Sequence, residues 1–119
     1  MRKSINQKIL FGKQGEEFAK NKLIELGYEI LETNYRIKIG EIDIIAKKEN
    51  VIYCIEVKSR SSLKDFHPLK SINHRKIHRM ESVTQFYLQE NPEHKKSFVS
   101  FALFVFTPNQ EFEFYPRLK

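Results

Sequence analysis

Three charged residues stand where a β-sheet normally hides hydrocarbon. In the stretch GEIDIIAKKENVIYCIEVKSR, residues 40–60, Asp43 lies between Ile42 and Ile44. Glu56 and Lys58 close a run that is otherwise Val, Ile, Tyr and Cys. A buried carboxylate is costly unless it is paired or holds a metal. Two carboxylates on neighbouring strands, with a lysine two positions beyond one of them, suit a divalent-cation site. Mg²⁺ takes one or two protein carboxylates and completes its octahedron with waters and a substrate phosphate. Lys58 would stand about 6.6 Å along the same strand face as Glu56. From there an ammonium can orient an attacking water or stabilise charge on a phosphorane-like transition state. The inferred chemistry is metal-assisted phosphodiester hydrolysis. The same charges also fit a cross-strand ion-pair cluster on a solvated face. An E-x-K spacing is common by chance, so spacing alone leaves both readings open.

The elements that must position these groups follow from periodicity. GEIDIIAKK and VIYCIEVKSR read as a hairpin turning at Glu49 and Asn50. Their Val and Ile content suits burial on both faces. Alternation puts Glu56 and Lys58 on one face with Ile52 and Cys54, and Val51, Tyr53, Ile55 and Val57 on the other. Upstream, KILFGKQGEEFAKNKLIELGYEI reads as a helix with an apolar stripe of Phe11, Gly15, Phe18, Ala19, Leu23 and Leu26. Glu16 falls at the edge of that stripe, Glu17 opposite it, and Gly27 is a C-cap signal. YEILETNYRI is a short strand or extended segment. Downstream, SSLKDFHPLK reads as a loop, with Pro68 breaking any regular element. SINHRKIHRMESVTQFYLQE is a second helix with the stripe Ile72, Ile77, Met80, Val83, Phe86 and Tyr87. NPEHKK is a loop, and SFVSFALFVFTPNQEFEFYP gives two strands joined at Pro108 and Asn109. The order helix, three strands, helix, two strands predicts an α/β (α+β) fold with a mixed sheet covered by helices.

Composition sets the class. A chain of 119 residues is expected to form one domain over residues 1–119 with a real core. Its 40% apolar share and mean hydropathy of −0.52 fit a soluble globular chain. A net charge of +6 and a pI of about 9.4 favour polyanionic partners. The single Cys54 cannot form an internal disulfide, which fits a reducing compartment. No apolar run reaches the roughly 20 residues of a membrane span, so no membrane partner is expected. MRKSINQKILFGK has only Ile9, Leu10 and Phe11 as an apolar run and reads poorly as a signal peptide. A cytoplasmic setting is the simplest account.

A resemblance rests on several pieces together. These are Gly15 and Glu16 with Ala19, the run Gly27, Tyr28, Glu29, Ile30, Leu31, and Asn34, Tyr35, Arg36. Gly40, Glu41, Ile42, Asp43 and the final EVKSR of the opening stretch complete them, with SINHRKIHRM as the basic helix start. In these the chain resembles the YraN-type family of small bacterial proteins. That family is similar to the PD-(D/E)xK nuclease superfamily, closest to the archaeal Holliday junction resolvases. The resemblance implies a restriction-endonuclease-like core with a mixed five-stranded sheet. It implies Asp43, Glu56 and Val57 at a Mg²⁺ or Mn²⁺ ion, Lys58 as the catalytic lysine, and Glu16 as an additional acidic residue. The chain departs from the family in SFVSFALFVF, which lacks the acidic residue often found in that strand.

Basic residues suggest how a polyanion would be held. Arg75, His78 and Arg79 share a helix face, with Lys70 and His74 just before them. A solvated helix face is the alternative. Lys76 falls within the apolar stripe and is expected to point toward the sheet edge where Lys58 emerges, there to meet phosphate or to snorkel. Arg36, Lys38 and Arg60 add charge near the ends of the proposed site. The nucleic-acid set is thus Arg36, Arg60, Arg75, Lys76 and Arg79, with DNA the expected partner. No aromatic platform for base stacking is evident. A long C-terminal strand with Phe112, Phe114 and Tyr115 could be an exposed edge, which gives a possible homodimer. Phosphate-loop, dinucleotide and zinc signatures are absent from the sequence. Cys54 is expected to be buried and not a nucleophile, and His67, His74, His78 and His94 to lie in loops or at the surface. Two functions remain in view: a metal-dependent nuclease acting on DNA, branched or damaged DNA included, and a nucleic-acid-binding module of the same fold that does not cut efficiently. A third, structural reading has the carboxylates merely paired.

Overall fold

The computed structural model describes residues 5–118, with side chains from residue 14 onward. Phe11, expected in the first helix's stripe, lies outside the described side chains. The backbone forms α1 (Ile5–Glu25), β1 (Glu29–Ile37), β2 (Gly40–Lys48), β3 (Val51–Ser59), α2 (Pro68–Ser71), α3 (His74–Glu90), a 3-10 turn (Pro92–His94), β4 (Phe98–Phe106) and β5 (Phe112–Tyr115). The strands make one sheet in the order β1-β2-β3-β4-β5. Its pairs are antiparallel except β3 with β4, which are parallel. Parallel neighbours need a crossover, and α2 and α3 supply it. The fold is therefore α+β, a mixed five-stranded sheet flanked by helices, compatible with a restriction-endonuclease-like core.

The Val- and Ile-rich hairpin is buried on both faces, as its composition predicts. On one face Ala19 and Leu23 of α1 pack with Ile44, Ala46, Ile55 and Phe104. On the other, Met80, Val83 and Tyr87 of α3 pack with Ile42, Ile45, Ile52 and Cys54. α1 stops at Gly27, whose φ of 95° favours glycine. Gly27 N–H donates to the Ile24 carbonyl at 3.0 Å and Tyr28 N–H to the Leu23 carbonyl at 2.9 Å, a Schellman pair. α3 starts at Asn73, whose Oδ1 accepts the Lys76 N–H at 2.8 Å.

The structure corrects several expectations. Leu26 and Phe86 are exposed, at 45% and 42%. Leu26 follows the last helical residue, and Phe86 lies about 100° round the helix from Tyr87. The buried stripe uses Thr84 instead, whose Oγ1 donates to the Met80 carbonyl at 2.7 Å and lies 3.2 Å from Cys54 Sγ. Pro68 opens α2 rather than breaking the chain, since its fixed φ suits a first helical position. Ser71 and Ile72 precede α3 instead of opening it, and NPEHKK holds a 3-10 turn. The last strand is short, and Phe112 and Phe114 turn inward against Phe104, at ring distances of 5.1 and 6.3 Å. β5 is an edge, but not an exposed aromatic one.

Candidate active site

Strand β2 loses its alternation at Asp43. Ile42 packs on the α3 face and Ile44 on the α1 face, although residues two apart share a face in a regular strand. Asn34, opposite Asp43 in β1, is left-handed with φ 52°. The β2–β3 pairing runs from Lys48↔Val51 to Ile44↔Ile55 and stops. Just beyond that last pair lie Asp43 and Glu56, close enough for the Glu56 charge to act on Asp43. There the Asp43 Oδ2 accepts the Val57 N–H at 2.8 Å. A side chain thus serves a strand amide where the ladder has ended, and this fixes the carboxylate where β2 and β3 part.

Burial, then repulsion from Glu56, raises the Asp43 carboxyl to about 7. The Val57 N–H works the other way, and Glu16 and Glu41 push it further up. Glu56 is 13% exposed at its side chain and pairs with Lys76 Nζ at 3.1 Å. Lys58 does not ion-pair with either carboxylate. Its Nζ donates to the Ser71 carbonyl at 2.6 Å. Burial holds that amine below its ordinary value; Glu56 and Asp43 oppose the shift, while Arg60 and Lys76 add to it.

The profile of the uncharacterised protein family UPF0102 matches residues 15–105. This chain belongs to that family. A UPF0102 protein of Clostridioides difficile (strain 630) is 48% identical over 80 residues, which cover 67% of this chain and 70% of the relative. One from Caldicellulosiruptor bescii is 46% identical over 77 residues, 65% of each chain. One from Campylobacter fetus subsp. fetus is 43% identical over 82 residues, 69% of this chain and 71% of the relative. The matched UPF0102 region spans Glu16, Asp43, Glu56, Lys58 and Lys76.

Within this UPF0102 fold the four acid and lysine candidates come together, Glu16 by its electrostatic effect on Asp43. Val57 packs its side chain toward the α1-side core and gives its N–H to Asp43, so only its carbonyl could meet a cation. Lys76 reaches the site, as its place in the stripe suggested. Arg36 is already paired with Glu41 at 2.9 Å. Arg60, Arg75 and Arg79 are exposed, and a Cβ on Gly40 would lie 3.7 Å from that of Arg79, so α3 crosses the start of β2. Cys54 is buried, and its thiol is pushed up to about 11. His94 lies in the turn between α3 and β4, as expected, with its side chain only 11% exposed and stacked on Tyr87.

Two contributions were not assigned from the sequence. Glu41, noted there only as part of the motif before Asp43, adds negative charge to Asp43. The Ser71 carbonyl that anchors Lys58 is backbone and leaves no residue-type signal. Among the described residues, no group of three or more His, Cys, Asp or Glu side chains is placed to hold a metal ion. The donor set is two carboxylates, Asp43 and Glu56, where β2 and β3 stop pairing. That fits a hard cation, Mg²⁺ or Mn²⁺, which takes few protein oxygens and keeps several waters.

Proposed function

We propose that this UPF0102 protein is a divalent-cation-dependent nuclease hydrolysing phosphodiester bonds in DNA. One observation carries the reading: where the β2–β3 ladder stops, the buried Asp43 carboxyl accepts the Val57 N–H and is raised to about 7 by burial and by the Glu56 charge. Such a pair is costly to a fold unless a cation offsets it. Mg²⁺ or Mn²⁺ bound there would supply Lewis-acid charge to a phosphate oxygen. Asp43 and Glu56 would hold it with the Val57 carbonyl, and Glu16 would support it from α1, directly or through water.

Lys58 would orient the attacking water, and its lowered basicity suits it to share a proton with that water. The water oxygen bonds to phosphorus and the bond from phosphorus to the leaving sugar oxygen breaks. One water proton passes to Lys58 or solvent, and the leaving oxygen takes one back. Arg60, Arg75 and Arg79 would hold flanking phosphates, with Arg36 joining once released from Glu41. Lys76 would move from Glu56 to phosphate when the carboxylate is neutralised. Branched or damaged DNA, a two-fold dimer matching a symmetric junction and a cytoplasmic setting belong to the same proposal. Among the described residues, no helix is long and apolar enough to cross a membrane.

A second reading, a module that grips nucleic acid without cutting, draws support from Lys76. Its ammonium sits where a cation would otherwise meet Glu56. Mn²⁺ calorimetry on the wild type and on Asp43→Ala/Glu56→Ala, followed by incubation with linear, flapped and four-way DNA, separates the two. Stoichiometric Mn²⁺ uptake and cleavage, both lost in the double variant while DNA binding persists, are expected. DNA binding without Mn²⁺ uptake, even with DNA present, leaves only the module.

A further inference from the structure

We infer that the loop after β3 is a second, metal-independent seat for the backbone phosphates of the same nucleic-acid strand; the inference rests on the nuclease reading. Residues 60–71 enclose a shallow groove of about 370 Å³. Its polar lining is Arg60, Ser62, Lys64, His67, Lys70 and Ser71, with Asp65 as the single carboxylate. The ion pairs formed among the described residues involve none of Arg60, Lys64 and Lys70. Three cations, none of them ion-paired among the described residues, border one groove against a single carboxylate, Asp65; that excess of positive charge is the electrostatic footprint of a polyanion site.

The groove is built onto the candidate active site. Ser71, which lines it, is also the residue whose carbonyl holds Lys58 Nζ at 2.6 Å. Arg60 follows Lys58 by two residues, about 6.6 Å along an extended chain, or roughly one nucleotide step. Its backbone N–H is tied to the Phe106 carbonyl at 2.9 Å, and its guanidinium lies 5.8 Å from the centre of the Phe66 ring. The Ser62 Oγ accepts the Lys64 N–H at 3.0 Å, which turns the loop. One wall is therefore fixed to the sheet, while exposed lysines border the rest. An open groove with long cationic side chains suits a phosphodiester chain better than a small anion, which needs converging donors.

The test is anisotropy of a labelled duplex in EDTA over a salt series. Neutralising both lysines (Lys64→Ala/Lys70→Ala) should lower the slope of log affinity against log salt by roughly 2, near 0.9 for each phosphate that no longer meets a cation. Asp65→Asn keeps a residue tolerant of its φ of 58° and should tighten binding several-fold. Mn²⁺ calorimetry should be unchanged in both variants. An unaltered slope in the lysine variant, with weakened binding in Arg75→Ala/Arg79→Ala, overturns the groove and leaves the nuclease reading intact. Competition by millimolar inorganic phosphate that vanishes in the lysine variant assigns the groove to a free ion and overturns the strand seat. A wild type that binds no nucleic acid overturns both.

Discussion

Asp43 carries a cost that can be weighed. Its carboxyl sits near 3.8 in a free chain and near 7 in the fold. Between those values the folded chain holds a proton that the unfolded chain has released. Folding stability in the absence of divalent ions therefore falls as pH rises from about 4 to about 7, and the loss is complete above that. Three units at about 1.4 kcal/mol each set an upper bound near 4 kcal/mol, and partial solvation brings the expected figure to roughly 2–4 kcal/mol. Asp43→Asn keeps an acceptor for the Val57 N–H and removes the charge. In EDTA it should be more stable than the wild type by that amount at pH 8, with the gap narrowing toward pH 5. Urea denaturation at the two pH values reads this directly. An Asn variant less stable than the wild type at pH 8 would show that the carboxylate is structurally paired, with no cost for a cation to offset.

Elements reach this site through close packing, and Gly15 shows how tight it is. A Cβ at Gly15 would run into the Phe106 ring, so α1 rests directly on a β4 side chain. Alanine is the better helix former by roughly 1 kcal/mol. Gly15→Ala should nonetheless destabilise, by about 1–3 kcal/mol from overpacking, and should shift Glu16 away from Asp43. Phe106→Leu in the same chain should restore part of the loss, as thermal melts of the single and double variants would show; a stabilised Gly15→Ala alone would refute the packing argument. The hairpin, both helices and the α+β class were legible because their apolar periods and turn residues agree locally. Asp43 and Glu56 were legible because charge is conspicuous in such strands. The break in alternation at Asp43 was not, since it accompanies a bond from the Val57 backbone N–H on β3 to the Asp43 carboxylate. Nor was the α2 turn, where Pro68 acts as a starter once its neighbours are placed. Leu26 and Phe86 misled because a wheel registers hydrophobicity but not where the helix ends or which border faces the sheet.

At the scale of the molecule, a basic chain surrounds an acidic centre. Lys and Arg number 21 against 15 Asp and Glu, a net +6, yet Glu16, Glu41 and Glu56 all add negative potential at Asp43. The outer cations should draw a phosphate backbone in while the centre repels the phosphate that must approach most closely. Without a divalent ion these effects oppose each other. Ca²⁺ accepts carboxylate oxygens in flexible geometry and should relieve the repulsion, tightening duplex binding by roughly tenfold, about 1.4 kcal/mol. In Asp43→Ala/Glu56→Ala the repulsion is largely gone, so that variant should bind well in EDTA and ignore Ca²⁺. Anisotropy at one fixed ionic strength separates this effect from screening, which would weaken both proteins alike. If Ca²⁺ leaves the wild type unchanged while the double variant still binds more tightly in EDTA, the carboxylates repel DNA without recruiting an ion, and the site belongs to the binding module.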